Sequence, residues 1–168
     1  GSVKSRLKGT SVNFKKKSVG ATENLIMAAS LAKGTTKLNN IALEPEIFDL
    51  VNFLRKMGVP IKQLNNSLEI QGVTELKGCE HTIIGDRLEA GTYLIAATAT
   101  QGEIITKNIN PHHLSFVLEK LSECGASIET TKDSIHLSMQ SKPKAVPITT
   151  MPFPGFPTDL QAQWLTLN

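Results

Sequence analysis

Ser18-Val19-Gly20-Ala21-Thr22-Glu23-Asn24-Leu25-Ile26-Met27-Ala28-Ala29-Ser30-Leu31-Ala32-Lys33-Gly34 reads as a loop with a small hydroxyl residue and a glycine, then an Ala-rich apolar helix that stops at a glycine. The first amides of such a helix have no partner within it, so the turn at 18–20 can hold an anion such as a phosphate. N-capping alone also accounts for a serine there. The stretch gains weight because it recurs. Ala28-Ala29, Gly34 and Asn40 match Ala96-Ala97, Gly102 and Asn108, each 68 residues further on.

A second helix follows in each copy. Glu44-Pro45 opens the first, with proline where a missing N–H does no harm. Ile47, Leu50, Val51 and Leu54 fall at i, i+3, i+4 and i+7 and form one buried face before Gly58 ends the helix. At a shift of 67, Leu114, Val117, Leu118, Leu121 and Gly125 take the same places, and Pro111 corresponds more loosely to Pro45. A hairpin closes each copy: 60–63 with 67–70 across Asn65-Asn66, and 127–130 with 134–137 across Lys132-Asp133. Each copy is therefore strand, helix, strand, helix, hairpin. The leading strand is expected at 11–14 in the first copy and at Thr82-Ile83-Ile84 in the second. Two amphipathic helices over a small sheet make an α/β architecture of the α+β type, and the repeat sets it.

A third copy begins and breaks off. Residues 141–158 carry five of the eight prolines and must be extended, with Val146-Pro147-Ile148-Thr149 as its expected leading strand. An apolar helix from Thr158-Asp159 runs to the last residue with neither C-cap glycine nor basic last turn. With Gly1-Ser2 resembling a cloning scar, both ends are expected to be cut. The expected divisions are 1–80, 81–140 and 141–168.

The 168 residues, 40% hydrophobic and 20% charged, suffice for one ordinary domain or two small ones. A net charge of +3 suits anionic ligands but is far from a nucleic-acid tail, so nonspecific DNA binding by Lys15-Lys16-Lys17 is not expected. Cys79 and Cys124 form no CxxC pair, and neither has a sequence-adjacent basic partner that marks a nucleophile. No apolar run approaches the roughly 20 residues of a membrane helix. A soluble, cytoplasmic protein is expected. His112-His113 do not share a helical face, and neither they nor His81 and His136 suggest a metal site.

The first helix of each copy has its own mouth: Ser18-Val19-Gly20, then Gly85-Asp86-Arg87, then Thr158-Asp159. Polar groups differ between the mouths while the helices behind them keep small apolar residues. That pattern suggests a ligand site on a repeated scaffold, although capping also predicts Ser, Asp and Thr there.

Ser-Val-Gly-Ala-Thr-Glu-Asn at 18–24, Glu-Pro-Glu-Ile at 44–47, Gly-Asp-Arg-Leu-Glu-Ala-Gly-Thr at 85–92 and Phe-Pro-Thr-Asp-Leu-Gln-Ala-Gln at 156–163 resemble the enolpyruvyl transferases that act on UDP-N-acetylglucosamine. The resemblance runs through residues 3–168 and implies an internal fragment of a longer transferase of peptidoglycan synthesis. It implies an inside-out α/β prism of repeated βαβαββ units. One complete unit plus one and a half units are present here, the chain crossing between two domains near Asp86. The implied substrates are UDP-N-acetylglucosamine and phosphoenolpyruvate, with no cofactor. By the same resemblance Lys16, Lys17, Ser18, Val19 and Gly20 contact the UDP-sugar. Asp159 accepts the proton of the sugar 3-hydroxyl, held by Thr158. Glu44, Glu46, Asp86, Arg87 and Glu89 form an outer polar shell. The family's N-terminal Lys-Asn pair, its reactive-cysteine loop and its phosphoenolpyruvate-binding arginines match nothing in this segment, so the fragment is expected to be inert. Self-association through the unfinished third copy is expected as well. Two alternatives stand: a relative acting on shikimate 3-phosphate, and a non-catalytic module that binds an anion or a protein.

Overall fold

The computed structural model describes residues 4–168, which divide into two compact units at Ile83/Ile84. In the first unit, β1 (Ser11–Asn13), α1 (Val19–Ser30), β2 (Thr35–Asn39), α2 (Pro45–Lys56), β3 (Ile61–Leu64) and β4 (Ser67–Gln71) follow the expected order. The sheet runs β1-β2-β4-β3, with β1 parallel to β2 and the other pairs antiparallel. The two helices cover one face of it. Ile26 and Ala29 of α1 meet Ile47, Val51 and Leu54 of α2 over Leu38, Leu68 and Ile70 of the sheet, all buried. Leu50, expected on that face, is half-buried at its margin.

The second unit repeats the plan with α3 (Arg87–Ala99), β5 (Glu103–Lys107), α4 (Ser115–Glu123), β6 (Ser127–Thr130) and β7 (Ser134–Ser138). The repeat extends to strand register. Thr36 faces Ile70 and Leu38 faces Leu68 in the first sheet. Ile104 faces Leu137 and Thr106 faces Ile135 in the second. Backbone conformation repeats too: Asn40 and Asn108 have φ of 56° and 59°, and Gly58 and Gly125 have φ of 98° and 108°. The match of Gly34 to Gly102 holds only for position before the strand. The left-handed residue is Gly34 in the first copy (φ 87°) but Gln101 in the second (φ 54°).

Two expected strands do not form. Residues 82–84 join no ladder, and the second sheet has the order β5-β7-β6 with no leading strand. Ile83 is 77% exposed. Residues 146–149 likewise join no ladder, Pro147 having no N–H to give one. Instead Val146 is a hydrogen-bonding anchor, its carbonyl accepting from Trp164 Nε1 (2.9 Å) and Asn168 Nδ2 (3.1 Å). The second helix of this unit also begins with a 3₁₀ turn, Pro111–Leu114, capped by Asn110 Oδ1 on the His112 amide (3.1 Å).

A 3₁₀ turn, Thr158–Leu160, leads into α5 (Gln161–Leu167). Phe156, Leu160 and Trp164 join the core formed by Leu94, Ile95, Leu114, Leu121, Ile135 and Leu137. Trp164 meets Phe156 edge-on, ring centroids 5.1 Å apart. The last helix is thus part of this unit's core. Among the described residues no helix is long and apolar enough to cross a membrane.

Candidate functional site

The mouth of α1 is built by its own side chains. Ser18 adopts an extended conformation, and its Oγ accepts from the Ala21 amide (3.3 Å). Its carbonyl takes both the Thr22 amide (3.0 Å) and the Thr22 hydroxyl (2.7 Å). Thr22 Oγ1, fully buried, accepts in turn from the Ala42 amide (3.2 Å), which ties the loop after β2 to this mouth. Asn24 Nδ2 donates to the Gly20 carbonyl (2.7 Å). The Val19 and Gly20 amides have no acceptor among the described residues, and the space beside Gly20 Cα is open to 4 Å. Lys16, Lys17 and Ser18 are exposed, and the first turn of α1 carries no acidic residue. Positive charge, unused amides and free space coincide here, which suits a phosphate.

Glu44 stands at the N-cap of α2 without capping it. It is only 8% exposed, and its Oε2 has no partner among the described residues. Glu46, in the first turn of α2, is half-buried.

In the second unit, Asp86 caps α3, Oδ1 accepting from the amides of Leu88 (2.8 Å) and Glu89 (3.1 Å). That oxygen is already engaged. Arg87, at the first helical position, is 7% exposed, and its guanidinium carbon lies 5.7 Å from the centroid of the Phe153 ring. Glu89 is exposed. Thr158 and Asp159 are exposed on the 3₁₀ turn, and the Asp159 carboxylate has no hydrogen-bond partner among the described residues. The two aspartates therefore differ: one holds a helix end and the other is unengaged.

Two of the histidines pair with carboxylates. His81 Nε2 meets Asp49 Oδ1 at 3.0 Å, and the ring packs on Phe53. His136 bonds Glu103 across the second sheet at 2.6 Å. Cys124 is buried, and burial, reinforced by Glu123, pushes its thiol above the ordinary range; Cys79 is exposed. A disulfide-exchange reagent at pH 8 should therefore titrate one thiol in the native protein and both in denaturant. Two fast thiols in the native state would contradict the packing around Cys124.

A family model described as EPSP synthase (3-phosphoshikimate 1-carboxyvinyltransferase) matches residues 2–168. The chain belongs to that family. Within this EPSP synthase family, it is 52% identical to the UDP-N-acetylglucosamine 1-carboxyvinyltransferase of Shewanella sediminis (strain HAW-EB3) over 99% of its own length. It is 50% identical to the protein of the same name from Actinobacillus succinogenes (strain ATCC 55618 / DSM 22257 / CCUG 43843 / 130Z), again over 99% of its length. The chain spans 40% of the length of each of these curated relatives. Among solved structures, the enolpyruvyl transferase NikO from Streptomyces tendae superposes with a TM-score of 0.75 at 21% identity, covering 89% of this chain and 36% of that one. EPSP synthase from Acinetobacter baumannii gives 0.58 at 19%, covering 84% and 34%. At such identities these two establish the fold alone, which is that of the enolpyruvyl transferases.

Proposed function

We propose that this chain is the central part of a transferase that moves the enolpyruvyl group of phosphoenolpyruvate to the 3-hydroxyl of UDP-N-acetylglucosamine, a cytoplasmic step of cell-wall peptidoglycan synthesis. The observation that carries the reading is the 52% identity, across 99% of the chain, to a protein of that name. Residues 1–80 are then the last repeat of one domain, 81–140 the first repeat of the other, and 141–168 the start of the next. Lys16, Lys17, Ser18, Val19 and Gly20 bind the diphosphate through the lysine charges and the unused α1 amides. Asp159 takes the 3-hydroxyl proton as that oxygen bonds to the enol carbon; phosphate is the leaving group. Glu44, Glu46, Asp86, Arg87 and Glu89 shape the surroundings.

Nothing in this chain matches the cationic residues that the family uses to hold phosphoenolpyruvate, so residues 1–168 alone are inert. Leu165, 77% exposed on α5, gives the isolated piece a surface for self-association. The test is phosphate release by the whole protein given phosphoenolpyruvate and either UDP-N-acetylglucosamine or shikimate 3-phosphate. Release with the nucleotide sugar only is expected. Release with shikimate 3-phosphate only, or with neither, would overturn the proposal.

A further inference from the structure

The α3 helix does more than line the core: its second turn grips the segment that carries Asp159. Gln163 Nε2 donates to Thr92 Oγ1 at 3.0 Å, across 71 residues of sequence. The Thr92 hydroxyl spends its own proton on the Leu88 carbonyl (2.8 Å), so its oxygen faces Gln163 as an acceptor of fixed direction. Beside this bond, Gly91 lets the helices close in. A Cβ at Gly91 would lie 2.7 Å from Leu160 Cδ1.

The choice of residue at 163 is informative. Gln163 Oε1 is buried and has no partner among the described residues, which is unfavourable for a polar atom. An apolar side chain of the same size would fill the place without that penalty. What glutamine adds is one directional bond to Thr92. Position 163 lies on the first turn of α5, which the 3₁₀ turn bearing Asp159 runs straight into, so a bond that fixes Gln163 against α3 also anchors the end of the turn bearing the Asp159 carboxylate. Local rules broken without a stabilising return are typical of functional sites.

We propose that Thr92 and Gln163 are positioning residues that aim Asp159 at the hydroxyl it deprotonates. This rests on the reading of Asp159 as the proton acceptor. In the whole transferase, Thr92→Val should lower kcat about 10- to 100-fold, the scale of a displacement near 1 Å, and leave KM for UDP-N-acetylglucosamine within about threefold. Thr92→Ser, which keeps the hydroxyl, should restore kcat. If Thr92 acts through Asp159, the Thr92→Val effect should vanish when both variants carry Asp159→Asn. An unchanged kcat in Thr92→Val, or an equal loss in both backgrounds, would overturn the proposal. Full activity of Asp159→Asn alone would instead remove the reading beneath it. Should Thr92→Val fail to fold, Gln163→Met removes the same bond from the other side under the same expectations. If the Asp159→Asn background turns over too slowly to measure, amide exchange at residues 158–163 decides. Exchange about tenfold faster in Thr92→Val and unchanged in Thr92→Ser supports the proposal; no change in either variant overturns it.

Discussion

Gly72→Ala is expected to destabilise the first unit by about 3–5 kcal/mol, near the limit for a single added methyl group. The chain leaves β4 by crossing the end of α1, and a Cβ at residue 72 would sit 1.9 Å from the Ala32 carbonyl oxygen, 2.8 Å from its carbon and 2.9 Å from the Ala29 oxygen. All three are backbone atoms, so no rotamer change relieves the clash. Moving the strand away would break the bonds that place it there, the Gly72 amide on Gly34 O (3.0 Å) and the Val73 amide on Ser30 O (2.9 Å). It would also loosen Arg6, whose guanidinium bridges the carbonyls of Leu31, Ala32 and Val73. The single tryptophan, Trp164, lies in the other unit's core, so the two units have separate probes. In urea, far-ultraviolet circular dichroism should show an early transition that tryptophan fluorescence does not share. Gly20→Ala is the control: nothing lies within 4 Å of its Cβ position, and its stability should be unchanged or higher by up to about 1 kcal/mol. A Gly72→Ala protein that unfolds with the native curve would refute the crossing geometry.

Gly72 also marks where local sequence signals stop. Its neighbours in space belong to the end of α1, far away along the chain, and nothing around it announces a close approach. The elements are legible because their signals are local and doubled: a pattern seen once is ambiguous, but Ile47, Val51 and Leu54 beside Leu114, Leu118 and Leu121 leave little room for another period. The missing strand at 82–84 has no local cause either. Thr82-Ile83-Ile84 has the composition of a strand and lacks a neighbour to pair with, and strand propensity cannot act without one. At the helix mouths of the two units, the caps Ser18 and Asp86 are legible as small polar residues ahead of apolar helices. The buried Arg87 is not, because a charged residue beside a helix start reads as solvated until Phe153, 66 residues later, is folded over it. The Thr92–Gln163 bond is invisible for the same reason.

If the proposed function holds, Asp159→Asn in the whole protein should cut kcat by about 10²- to 10⁴-fold, the range for removing a positioned general base, with KM for UDP-N-acetylglucosamine changed little. The substitution keeps size and shape and removes the ability to accept a proton. Because the Asp159 side chain is exposed and makes no hydrogen bond among the described residues, the folded state should lose nothing with it, and the melting temperature should stay within the scatter of ordinary surface variants. That separation is what makes this aspartate a cleaner test than Asp86, whose carboxylate holds the Leu88 and Glu89 amides and whose loss would mix a helix end with any chemistry. Phosphate release under saturating substrates measures the outcome. A folded Asp159→Asn enzyme that keeps more than about a tenth of native turnover would assign the proton transfer to another group, since losing a general base costs far more than that. In that case the exposed carboxylate would be left with a role in binding the sugar alone.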